Sequence, residues 1–316
     1  IGINLTDPVY QGIYNGRQKH KPDLCNVIKR AQRVNCCKLI ITGSDLTSSK
    51  EAVDLARAYP NICYATIGVH PCSSNTFLQE TTPASTQLAQ LGTLAQEAKK
   101  SGHAVAFGEI GLDYDRLTLC PKDIQLQFFE RQLSVAVDVQ LPLFLHSRAA
   151  HEDFMRLLTA REAQLPNRGV VHSFTGSMSE MEELVMRGWH IGINGCSLKS
   201  DANCEVVRAV PLHCLHLETD GPWCEIRPSH AGSRVLLRLE EEGILQKDHI
   251  KMLDGGNRWV KKEKWEENTC VKCRNEPCTI PKVAWIVAGL KGVDIRQVVE
   301  SAWTNSVKMF NLAGSL

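Results

Sequence analysis

Five short apolar runs in this sequence end in side chains that can ligate a metal. They are Gly68-Val69-His70-Pro71, Gly108-Glu109-Ile110-Gly111-Leu112-Asp113, Leu145-His146-Ser147-Arg148, Val171-His172-Ser173-Phe174 and Glu218-Thr219-Asp220-Gly221-Pro222-Trp223. A single histidine after a strand is usually a hydrogen-bonded structural group. Packing gives no reason for five successive runs to finish in His, Glu, His, His and Asp. We expect Glu109, His146, His172 and Asp220 to hold one or two divalent ions. Two imidazoles and two carboxylates suit Zn²⁺ or Mn²⁺ by ligand softness, and Mg²⁺ where water completes the shell. Glu109 is the candidate to bridge two ions. A pair about 3.5–4 Å apart clamps the attacking and leaving oxygens of a phosphoryl displacement. Glu109 and Asp220 are the catalytic candidates, and Asp220 can ligate an ion and orient or deprotonate the attacking water. Arg148 is either a phosphate contact that neutralises developing charge or a supporting surface arginine. His70 is a phosphate contact, a proton donor to the leaving oxygen, or a structural histidine before Pro71.

Such residues meet only if the strands that carry them end on one face. The sequence predicts strands near Ile1–Leu5, Lys38–Gly43, Ile62–Val69, Ala104–Ile110, Leu143–His146, Gly169–Ser173, His190–Ile193 and Leu215–Glu218, each a short β-rich run bounded by Gly, Pro or polar residues. Helical spacing fills the gaps, as in Leu24, Val27, Ile28, Ala31 and Val34, or Met181, Leu184 and Val185. Strand and helix alternating eight times imply a parallel sheet with right-handed crossovers, closed into a TIM-like (β/α)8 barrel. A doubly wound open sheet is the alternative, but no G-x-G-x-x-G follows any strand.

The 316 residues fit one barrel domain over the whole chain, and 43% hydrophobic with 22% charged residues is globular usage. A net charge of +1 excludes nucleic-acid binding by bulk charge. Thirteen scattered cysteines argue for reduced thiols and an intracellular home. No apolar run reaches the about 20 residues of a membrane span. The chain begins at Ile1, without a Met and inside an apolar segment, so a targeting segment ahead of it is left open.

The stretch 237–269 is charged, carries Gly255-Gly256 and shows no strand pattern. It reads as a long excursion after the eighth strand. It is either a solvated loop or a lid carrying Trp259 and Trp265 to stack on bases. Ile280 to Leu312 reads as helical. Cys270-x-x-Cys273 with Cys278 lacks a well-placed fourth ligand for zinc, so free thiols are expected. No G-x-S-x-G elbow exists, which argues against serine hydrolase chemistry.

The same motifs resemble the TatD family of metal-dependent DNases. Pro142-Leu-Phe-Leu-His146-Ser-Arg148-Ala-Ala-His-Glu152 and Leu217-Glu-Thr-Asp220-Gly-Pro222 look like two of its signatures. Gly68-Val-His-Pro71, Gly108-Glu-Ile-Gly-Leu-Asp113, Val171-His-Ser-Phe-Thr-Gly176 and Arg274-Asn-Glu-Pro277 also recur there. The resemblance implies a TIM-like barrel, DNA hydrolysis, often from the 3′ end, and metal binding by Glu109, His146, His172 and Asp220. One motif departs. The family usually opens with Asp-x-His-x-His, and here Gly2 and Asn4 stand at the two His positions. The opening Ile1-Gly2-Ile3-Asn4-Leu5-Thr6-Asp7-Pro8 is similar to that of a eukaryotic branch. Gly has no ligand atom and Asn only a neutral amide, so Asn4 is left with a substrate contact. We expect one firm site (Glu109, His146, His172) and a weaker one (Glu109, Asp220 and waters). Glu276 is expected to tie the loop after the barrel back to the site without acting in catalysis.

The leading expectation is a DNA phosphodiesterase, a 3′–5′ exonuclease of DNA repair or degradation in nucleus or cytoplasm, with DNA as its partner and no obligate protein partner. The alternative enzyme is a metal-dependent amidohydrolase of small molecules. Such enzymes often carry a carbamylated Lys at a strand end, and no strand read here ends in Lys. A non-enzymatic protein with a degenerate site is the third class.

Overall fold

The computed structural model describes residues 1–79, 81–165 and 167–312. Seven strands lie parallel and in chain order: β1 (Leu39–Ile41), β2 (Cys63–Ile67), β3 (Ala104–Asp113), β4 (Leu143–Arg148), β5 (Gly169–Val171), β6 (His190–Ile193) and β7 (Leu215–Leu217). The opening segment closes the curl. Ile3 bridges Ile41 in parallel, its N–H donating to Ile40 O at 3.1 Å while Thr42 N–H donates back to Ile3 O at 2.9 Å. On its other edge the nitrogen of Ile1 donates to Leu217 O at 2.9 Å, and Asp220 N–H donates to Gly2 O at 2.9 Å. The first strand read from sequence, Ile1–Leu5, is thus a hydrogen-bonded segment rather than a full ladder. Asn4 N–H turns to Gly221 O instead of continuing along β1. The result is the expected TIM-like barrel.

Strand alternation divides the apolar residues. Leu39 and Ile41 of β1, and Leu143 and Leu145 of β4, face the surrounding helices, while Ile40 and Phe144 between them point inward with Tyr64 and Val170. Phe310 joins that inner cluster from the C-terminal helix α6 (Ile295–Phe310). The helices behind the strands are amphipathic. In α1 (Leu24–Arg33) the residues Val27, Ile28 and Ala31 are buried at helical spacing. Ser177 and Glu180 form a capping box at the start of α2 (Met178–Met186). The C-terminal stretch read as helical is two helices, α5 (Ile280–Lys291) and α6. Gly292, in the left-handed conformation at φ +66°, ends the first, and the side chain of Asp294 caps the second.

The 237–269 excursion is more ordered than its charge pattern implied. It includes the end of α3 (Ala231–Glu241), α4 (Lys247–Met252) and the short strand Trp259–Val260, which pairs in parallel with Cys270–Val271 just beyond it. Leu239, Leu245 and Leu253 form a small core with Trp285 that gives the charged stretch an apolar anchor. Behind it sits a buried ion cluster. Arg30 reaches Asp23 at 2.9 Å and Glu276 at 2.7 Å, and Arg274 reaches the same two carboxylates at 2.5 and 2.6 Å. Two cations and two anions neutralise each other with all four side chains almost fully buried. Glu276 therefore ties the post-barrel segment to α1 rather than back to the site as its position suggested, because both arginines that neutralise it lie in this cluster.

Candidate metal centre

Glu109 is aimed by an irregularity in β3. Gly108 pairs with Phe144 and Ile110 with Leu145, so Glu109 is an extra residue with no partner on β4. A bulge of this kind turns a side chain out of the strand's alternation. Its flanks must be glycine. A Cβ on Gly108 (φ +147°) would lie 2.0 Å from Phe144 O, and one on Gly111 (φ +148°) 1.8 Å from His146 O.

The carboxylate so placed meets two imidazoles. Glu109 Oε1 lies 2.6 Å from His172 Nε2 and 2.9 Å from His146 Nδ1, with all three residues buried. Each ring's other nitrogen faces a second carboxylate. His146 Nε2 is 3.1 Å from Asp113 Oδ2, and His172 Nδ1 is 3.5 Å from Glu218 Oε2. Phe144 stacks beneath His172, ring centres 4.7 Å apart. A carboxylate behind each histidine fixes which nitrogen carries the proton and leaves the other free for a cation. The set fits a divalent ion on one further observation. His146 Nδ1 is buried against Glu109 yet has no hydrogen-bond partner, the state of a lone pair that a shared cation would satisfy. The ligand atoms of Glu109, His146 and His172 all lie within 4.8 Å of one another.

Electrostatics in the ion-free centre follow from this packing. Burial favours the neutral form of Glu109, but the charge of the neighbouring His172 outweighs it and holds the carboxyl well below its usual range. Burial likewise disfavours a charged His172, and Glu109 overrides it, so its pKa rises. For His146 the hydrogen bond to Asp113 and the charge of Glu109 prevail over burial, and its pKa also rises.

The other candidates take distinct places. His70 Nδ1 accepts the Cys72 N–H at 3.0 Å, so a neutral ring keeps its proton on Nε2, which points at Glu109 Oε1 from 3.4 Å. Burial pushes His70 down to about 4, so it is neutral at pH 7 and offers a donor. Arg148 donates to Ser173 O at 3.3 Å, and its Nε is buried with no partner. Asp220 stands apart from the Glu109 cluster. Its Oδ1 accepts from Asn4 Nδ2 at 3.0 Å and its Oδ2 from Cys224 Sγ at 3.2 Å. Burial raises its carboxyl to about 7; repulsion from Glu109 and Glu218 adds to this, and His172 opposes it. Asn4 gives its amide hydrogens to Asp220 and to Gly221 O at 3.2 Å, so it orients Asp220.

Residues 14–311 match the family model described as TatD related DNase. The chain belongs to the TatD family. "Deoxyribonuclease Tat-D" of Schizosaccharomyces pombe is 46% identical, covering 98% of this chain and 95% of that protein. Identity is 31% to the "3'-5' ssDNA/RNA exonuclease TatD" of Erwinia tasmaniensis, over 99% of both. Among solved structures, an uncharacterized amidohydrolase from Saccharomyces cerevisiae superposes with a TM-score of 0.83 at 33% identity, covering 98% of both chains. A TatD family hydrolase from Entamoeba histolytica gives 0.82 at 33% identity, covering 98% of this chain and 96% of that one. TatD proteins are metal-dependent hydrolases, and this chain has the residues to be one.

Within the TatD pattern, the loss of the first-strand histidines has a steric counterpart. A Cβ on Gly2, already at φ +67°, would sit 3.3 Å from Phe144 Cζ and 3.4 Å from Glu218 Cδ, so the Phe ring and the carboxylate close the space next to it. Glu218 was not singled out from sequence, nor was Asp113. Glu218 is fully buried, accepts Ser173 N–H at 3.0 Å and Asn194 Nδ2 at 3.3 Å, and keeps Oε1 without a partner. The rule that a ligating histidine needs an acceptor for its other nitrogen would have pointed to both.

Proposed function

We propose that this TatD protein is a divalent-metal deoxyribonuclease that shortens single-stranded DNA from the 3′ end, in DNA repair or degradation, in the nucleus or cytoplasm. The whole chain serves as one barrel unit with the 237–269 excursion beside its active face. The observation that carries the reading is the Glu109 carboxylate shared between two histidines, each backed by a carboxylate. The names of the Schizosaccharomyces pombe and Erwinia tasmaniensis relatives support DNA as substrate, and that of the latter the 3′–5′ direction. No helix among the described residues is long and apolar enough to cross a membrane.

Glu109, His146 and His172 would hold the ion, which supplies Lewis acidity and makes a water easier to deprotonate. The chain's own groups do the rest. Asp220, poised at about 7, can take a proton at its carboxylate and release it at neutral pH. Asn4 and Cys224 fix the direction in which that carboxylate points. His70 presents Nε2–H, suited to a phosphate oxygen or to the departing 3′ oxygen. Arg148, with its buried and unpaired Nε–H, adds positive charge where negative charge grows on the phosphate.

Metal-stripped protein incubated with 3′-labelled and 5′-labelled single-stranded oligonucleotides, adding Mg²⁺, Mn²⁺ or Zn²⁺ in turn, tests this. Stepwise loss from the 3′ end, restored by one ion and absent in Glu109→Ala, is expected. Metal-loaded protein that cuts no oligonucleotide but hydrolyses amide or imide substrates would replace this reading with that of an amidohydrolase.

A further inference from the structure

Beside the Asp220 turn lies a cavity of about 320 Å³ that the chemistry above does not use. Its walls come from two parts of the chain. One is the turn itself, through Cys224, whose Sγ touches Asp220 Oδ2 at 3.2 Å. The other is the excursion and its return, through Asp254, Trp259, Lys272, Asn275 and Lys282. The two parts are locked together. Asn275 N–H donates to Pro222 O at 3.0 Å, and its Nδ2 donates to Thr219 O at 2.8 Å. The cavity therefore has a fixed position relative to the proposed catalytic carboxylate.

Its lining suits a flat, polar-edged heterocycle. Trp259 is half-buried, and its indole is clamped at the edge, Nε1–H donating to Asp254 Oδ2 at 2.9 Å. That clamp holds the ring without using its π face. Lys282 is 3.8 Å from Asp254, and the exposed Lys272 adds a second ammonium. Trp223, in the same turn as Cys224, is 55% exposed, an unusual place for the largest side chain. The other tryptophan of the excursion is spent on structure, since Trp265 stacks on His20 at 4.8 Å. Ligand sites run from about 300 Å³ upward, so this cavity holds one small ring system and not a second.

We propose that this cavity is a nucleobase subsite, taking one base of the DNA strand under cleavage stacked on Trp259, with Lys272 and Lys282 at the rim near the backbone. The proposal rests on the nuclease reading above. It explains how a chain of net charge +1 grips a polyanion, because aromatic stacking is tolerant of sequence and needs no bulk charge. It also gives the excursion a task at the active face.

The test pairs a deletion in the protein with a deletion in the substrate. KM and kcat are measured for the metal-loaded full chain on single-stranded oligonucleotides in which each of the three nucleotides next to the cut is made abasic in turn. The proteins are wild type, Trp259→Leu, which keeps apolar bulk, and Trp259→Phe, which keeps a smaller π face. Loss of one particular base is expected to raise the wild-type KM about tenfold or more, the scale of one base–aromatic stack. The same loss should leave Trp259→Leu nearly unchanged and Trp259→Phe in between. Abasic effects that are as large in Trp259→Leu as in wild type would overturn the subsite while leaving the nuclease intact. So would wild-type cleavage indifferent to every base. Wild-type protein that cuts no DNA with any ion would remove the nuclease reading and the subsite together.

Discussion

Glu218 sits 3.5 Å behind His172, on the side of the ring away from Glu109, with no protein donor to its Oε1. It is thus a positioning residue for a histidine expected to bind metal through Nε2. Replacing its charge should weaken metal binding more than it weakens the fold. Glu218→Gln retains an acceptor for Ser173 N–H, and it is expected to lower affinity for the ion about 10–100-fold. Competition with a chelating dye measures this. Unchanged affinity, with reduced thermal stability alone, would mean that Glu218 serves packing only.

Asp220 gives a stability signature that depends on pH. In ion-free protein its carboxyl is raised to about 7, from an ordinary value of 3.8. The folded state therefore holds its proton more tightly than the unfolded chain does. Stability must then fall as pH climbs from about 4 through 7, because the carboxylate forms more easily once the chain unfolds. Asp220→Asn carries no charge at either end of that range. In the presence of chelator it should match wild type at pH 4 and exceed it at pH 8, as read from urea midpoints. A gap of equal size at both pH values would show that the substitution acts through contacts rather than through ionisation.

The buried cluster of Asp23, Arg30, Arg274 and Glu276 predicts a separate kind of failure. Removing one charge leaves the opposite charges uncompensated in a dry site, which costs about 3–5 kcal/mol for a buried pair. Glu276→Gln should lose stability on that scale, since both Arg30 and Arg274 depend on it. The fraction that stays folded should keep its kcat, because Glu276 touches none of the centre's side chains. Urea unfolding followed by active-site-normalised kinetics separates the two effects. A collapse of kcat in fully folded protein would place Glu276 in the machinery instead.

Much of this was legible in the sequence because ligands at strand ends report both fold and site at once. The runs ending at His70, Glu109, His146, His172 and Asp220 marked the strands to within a few residues and placed their ends on one face. What escaped notice depended on contacts across the chain. Glu218 and Asp113 lie inside motifs that drew attention to Asp220 and Glu109, and their own roles appear only when each is seen facing the second nitrogen of a histidine. The bulge at Glu109 leaves only two glycines as its trace, and glycines have many other uses. Asn4 looked like a vacant ligand position until closure brought it to Asp220, 216 residues away. The excursion misled because charged residues dominate its pattern, while the apolar residues that order it are few and widely spaced. Gly292, which ends the first of the last two helices, went unread because the apolar spacing continues on both sides of it.

In the proposed function, Glu109, His146 and His172 hold the ion on which cleavage depends. The most direct measurement is diffraction from crystals soaked in Mn²⁺ or Zn²⁺, with anomalous scattering to locate the metal. A peak is expected about 2.0–2.2 Å from Glu109 Oε1, His146 Nδ1 and His172 Nε2, lost in Glu109→Ala crystals together with nuclease activity. A peak elsewhere in active crystals, or full activity in a Glu109→Ala protein that binds no metal there, would contradict it.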